Sequence, residues 1–65
     1  MPQHHVEELI PESRRKEIFF ALVETQDREV GVVRSRKIVA DRFGVSEHQV
    51  KQIEQEGLDG EWPPL

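Results

Sequence analysis

The stretch from Ser35 to Leu58, SRKIVADRFGVSEHQVKQIEQEGL, limits the fold more than any other part of the chain. Ala40 stands four residues before Gly44, and Val50 and Ile53 stand six and nine residues after it. An alanine lets two helices approach closely. A glycine accepts the left-handed backbone at a helix end, and the later aliphatics close the wedge between the helices. Val39, Phe43 and Val45 are apolar around the bend. Ser35 is placed to cap the first helix, and Ser46 with Gln49 makes a capping-box pattern for the second. This order of small residue, glycine and spaced aliphatics predicts a helix-turn-helix over residues 35–58, with another small helical packing as the alternative.

The chain has 65 residues and no cysteine, so it holds one domain at most, without disulfides or thiolate metal sites. No apolar run approaches the roughly 18 residues of a membrane span. The N-terminal stretch MPQHHVEELIPE is acidic and lacks a long apolar centre, which is unlike a signal peptide. The expected location is the cytoplasm.

Residues 1–11 are read as a flexible or short helical segment. Val6, Leu9 and Ile10 are spaced for one helical turn on the core, and Pro11 interrupts it. His4 and His5 point to different sides of any helix, and no metal site is expected from them. Residues 12–26, ESRRKEIFFALVETQ, carry Ile18, Phe19, Leu22 and Val23 as an apolar stripe at helical spacing. Of the adjacent pair Phe19 and Phe20, one belongs to the core and the other lies under a terminal segment. Arg14, Arg15 and Lys16 form a solvated basic face, or one that meets phosphate or an acidic partner. Residues 27–34 are a partly buried connection or a short strand; the next helix starts near Ser35, or as early as Val32. The last helix is expected from Glu47 to about Glu56, ending at Gly57, with Val50, Ile53 and Leu58 inward. Glu47, His48, Gln49, Lys51, Gln52 and Gln55 are left outward. In the tail DGEWPPL, Trp62 is expected to fold back on the Phe19 and Leu22 face. The alternative is an extended partner-binding peptide. The fold class is therefore all-α: a small three-helix domain at 12–58 with an irregular N-terminal segment and a Trp-Pro-Pro tail at 59–65.

The net charge of −4 is unevenly spread. Residues 28–52 carry six Lys or Arg against three Asp or Glu, whereas residues 53–65 carry four acids and no Lys or Arg. The basic surplus coincides with the proposed motif, as a nucleic-acid footprint should. Its small size predicts weak, salt-sensitive binding.

The run FGVSEHQVKQIEQEGL resembles the helix-turn-helix of region four in bacterial primary sigma factors, which recognises the minus-35 promoter element. Phe43, Val45, Ser46, Val50, Lys51, Gln52, Ile53, Glu54 and Leu58 match that pattern over residues 35–58. The resemblance implies a promoter-type contact through Lys51 and Gln52. Glu47 and Gln49 stand where the family commonly has arginine, and His48 stands at its acidic position. The family's basic continuation is replaced by Glu56, Gly57, Asp59 and the tail, and nothing corresponds to the polymerase-binding regions of a full sigma factor. What the resemblance implies is a free-standing region-four-like domain.

Two functions are expected as alternatives. In the first, this is a small double-stranded-DNA-binding protein acting in transcription. Glu47 to Gln52 enter the major groove behind the Ser46 cap. Gln49 and Gln52 read bases with His48, Lys51 contacts base or phosphate, and Arg36, Lys37 and Arg42 hold phosphates. A monomer of this size binds weakly, so a homodimer or protein partner is implied. In the second, the fold is a protein-interaction module without DNA binding. An enzyme is not expected. The chain has no cysteine nucleophile, phosphate loop, metal constellation or small-molecule cofactor motif, and its carboxylates are scattered over helix surfaces.

Overall fold

The protein is described here by a computed structural model covering residues 10–28 and 30–65. Val6 and Leu9 of the predicted N-terminal turn, and the His4–His5 pair, lie outside the described residues, whereas Ile10 is described. Three helices follow in order: α1 (Glu12–Asp27), α2 (Val32–Phe43) and α3 (Glu47–Gly60). Each helix packs on the other two. The described residues form no strand, and residues 32–34 of the predicted connection belong to α2. No helix is long and apolar enough to cross a membrane.

The core follows from the helical stripes. Ile18, Phe19, Ala21 and Leu22 of α1 meet Val39 and Ala40 of α2 and Val50 and Ile53 of α3 in one buried cluster. Ile10, Val23, Phe43, Val45 and Trp62 pack around it. Phe19 is fully buried, whereas Phe20 is 43% exposed.

Gly44 ends α2 in the left-handed region at φ 70°, and the Val45 N–H donates to the Ala40 carbonyl at 3.0 Å. An L side chain is strained there. Gly44→Ala should cost about 1 kcal/mol, and Gly44→Asn less. Urea denaturation checks both; a Gly44→Ala protein as stable as the parent would show that the bend tolerates a Cβ.

The tertiary structure changes four of the local expectations. α2 begins at Val32, the earlier of its two expected starts, so Ser35 is not its cap. Ser35 is fully buried inside it, with its hydroxyl donating to the Gly31 carbonyl at 2.8 Å. Gly31 takes the N-cap place without a side-chain bond. Val32 and Val33, expected to be partly buried, sit in the exposed first turn at 49% and 71% exposure. α3 runs past Gly57 to Gly60, so Gly57 is a buried interior residue and not the helix end. Leu58, expected inward, is half exposed.

The real end of α3 closes as a Schellman turn. The Trp62 N–H donates to the Gly57 carbonyl at 2.9 Å and the Glu61 N–H to the Leu58 carbonyl at 3.3 Å. Glu61 takes the left-handed position at φ 52°. This turn brings Trp62 edge-on to Phe19, with ring centroids 6.0 Å apart.

Candidate nucleic-acid interface

The first turn of α3 is held by a complete capping box. Ser46 Oγ accepts from the Gln49 N–H at 3.0 Å, and Gln49 Oε1 accepts from the Ser46 N–H at 2.8 Å. Two otherwise orphaned backbone donors are thereby satisfied. The cap determines which neighbouring side chains face water. Glu47, His48, Lys51 and Gln52 are exposed, and so is Ser46. Gln49 is not available as predicted. It is buried at 9% exposure and committed to the cap, so it cannot reach a base without opening the helix start.

The phosphate-holding set is also smaller than expected. Lys37 and Arg42 are exposed on α2. They stand five residues apart, about 140° around the helix at about 100° per residue, so they do not share a face. Arg36 is an interior strut. Its Nη2 lies 2.7 Å and its Nε 2.9 Å from Glu54 Oε1, with the two side chains only 24% and 17% exposed. Glu54 Oε2 also accepts from Gln26 at 3.3 Å, so one carboxylate joins α1, α2 and α3.

Arg14, Arg15 and Lys16 have three different surroundings. Arg15 makes a two-pronged bond to Glu56 at 2.8 and 3.0 Å and also donates to the Ile10 carbonyl. The hydrogen bonds to Glu56 raise the Arg15 pKa above its ordinary value, helped by that carboxylate's charge and opposed by desolvation. With its pKa raised, the guanidinium's contribution to stability is present below its own titration and is lost as pH rises through it. That window lies beyond any pH at which the protein would be studied, so Arg15 contributes no pH dependence of its own. Arg14 and Lys16 form exposed pairs with Glu17 and Glu12, each at 3.1 Å. No cluster of three or more His, Cys, Asp or Glu suited to a metal occurs among the described residues.

The residues that sequence reasoning missed are these struts. Arg15–Glu56 spans 41 positions and Arg36–Glu54 spans 18, and no local spacing rule points to either.

No protein-family model, curated protein or solved structure matches this chain.

Proposed function

We propose that the protein is a small DNA-binding domain of helix-turn-helix type acting in transcription, with the first two turns of α3 as the reading element. The supporting observation is the capped start of α3, where His48, Lys51 and Gln52 share an exposed surface over a firmly packed inner face. Gln52 offers the amide fork suited to adenine, and Lys51 suits guanine or phosphate. Lys37 and Arg42 add charge from α2. The acidic end of α3, with Asp59 and Glu61 exposed, would be turned away from the phosphates.

Lys37, Arg42 and Lys51 are the site cations left after Arg36 is withdrawn into its pair with Glu54. Neutralising at most three phosphates gives a log–log salt slope no steeper than about −2.7, or about a 40-fold loss from about 50 to about 200 mM salt. Titration of mixed duplex DNA, followed by backbone amide shifts, tests the reading. Shifts should centre on Glu47 to Gln52 and fade with salt. Lys51→Ala with Gln52→Ala should remove them while leaving the remaining spectrum in place. A spectrum unmoved by DNA even at low salt refutes the proposal.

A further inference from the structure

A groove of about 690 Å3 lies along the exposed face of α1, with no residue of α3 in its lining. Its apolar lining comprises Phe20 and Ala21 of α1, Phe43 of α2 and Pro63 of the tail. The volume falls within the range of ordinary ligand clefts. The cation arrangement is more informative than the size. The Arg14 guanidinium lies 4.8 Å from the Phe43 ring centroid and the Arg42 guanidinium 5.6 Å from it, so one ring carries two positive charges. Lys16 lines the groove as well, 5.6 Å from the Trp62 ring. Glu17 and Glu24 are the acids of the lining; Glu17 is paired with Arg14, and Lys16 is paired with Glu12. Arg42 makes no ion pair among the described residues.

We infer that this groove docks a short segment of another protein in which an aliphatic or aromatic side chain is flanked by Asp or Glu. The apolar side chain covers Phe20, which is 43% exposed, and the carboxylates meet the Arg14 and Arg42 forks. Arg42 has no carboxylate partner among the described residues, so an incoming carboxylate meets an uncommitted fork beside the Phe43 ring. A DNA backbone would meet the same arginines but leave Phe20, Ala21 and Pro63 uncovered. The apolar part of the lining therefore favours a peptide. The groove shares only Arg42 with the proposed DNA surface, so either assignment can fail without the other.

The test uses the full 15N-labelled chain and a short synthetic peptide of Asp and Glu around a central Phe-Leu pair. A version with Lys in place of every acid and a mixed duplex DNA are run in parallel. The acidic peptide should give saturable shifts at Ser13, Glu17, Phe20, Ala21 and Glu24. Phe20→Ala should weaken binding by about tenfold or more, as loss of a central aromatic anchor does. Arg42→Gln, at an exposed position, should also weaken it and serves as the second variant if Phe20→Ala perturbs the fold. The inference is overturned if millimolar acidic peptide moves none of these amides, if the Lys peptide binds as well, or if DNA alone moves them.

Discussion

Gly57→Ala should lower the thermal midpoint sharply, although it replaces a glycine inside a helix with the best helix former. A Cβ at position 57 would stand 2.6 Å from Phe19 Cγ and closer still to Cδ1 and Cε1. Phe19 is fully buried and has Trp62 edge-on to it, so its ring has no free space to retreat into. Overpacking of this kind costs about 1–3 kcal/mol and sometimes more, against a helix-propensity gain of about 1 kcal/mol. The backbone contact is so close that the clash should win by about 2 kcal/mol net. For a chain with a total stability of about 3–10 kcal/mol, that is a large fraction. The midpoint should fall by roughly 8–16 °C in a circular-dichroism melt. Gly31→Ala is the control, because a Cβ there meets nothing within 4 Å. It should stay within about 0.5 kcal/mol of the parent. The pair Gly57→Ala with Phe19→Leu should cost less than the two single changes added together, since they share one contact. A Gly57→Ala protein that melts at or above the parent temperature would mean that Phe19 does not rest on α3 there.

Glu54→Ala should be the second costly change, at about 1–3 kcal/mol by urea denaturation. It removes the acceptor shared by Arg36 and Gln26 and leaves a mostly buried guanidinium without a partner. The pair retains some exposure to water, which keeps the loss below that of a fully enclosed ion pair. Glu17→Ala breaks the exposed pair with Arg14, at 50% and 62% side-chain exposure, and should cost about 0.5 kcal/mol or less. If the two variants prove equally stable, Glu54 is merely another surface charge and apolar packing alone places α3.

The all-α class and the three helices were legible because each run carries apolar residues at helical spacing. Residues 12–26 were expected as a helix, and α1 is Glu12–Asp27. The Gly44 bend and the Ser46–Gln49 box were legible because both are built from neighbours within a few positions. Ala40, Val50 and Ile53 share the core, with Phe43 against it. Other assignments were misjudged where one residue type serves two ends. Glycine near the end of a helical run signals a stop or a close contact, and at position 57 the contact prevailed. Serine before an apolar run signals a cap, yet Ser35 satisfies its hydroxyl within the helix. Gln49 was counted both as a cap member and as a base reader, and the geometry allows it only the first role. Arg36 was taken as a phosphate contact because its partner, Glu54, lies far along the chain.

What the chain determined alone is what short-range chemistry decides. Hydrophobic period, a left-handed glycine and a reciprocal cap act within one or two turns, so their outcome is written in adjacent letters. What only the tertiary structure decided is which charges remain free and which surfaces stay open. Arg15 and Arg36 became struts, Gly57 became the seat for Phe19, and Phe20 was left outside beside Arg14 and Arg42. Those outcomes depend on distances between helices, and such distances exist only once all three helices pack on each other.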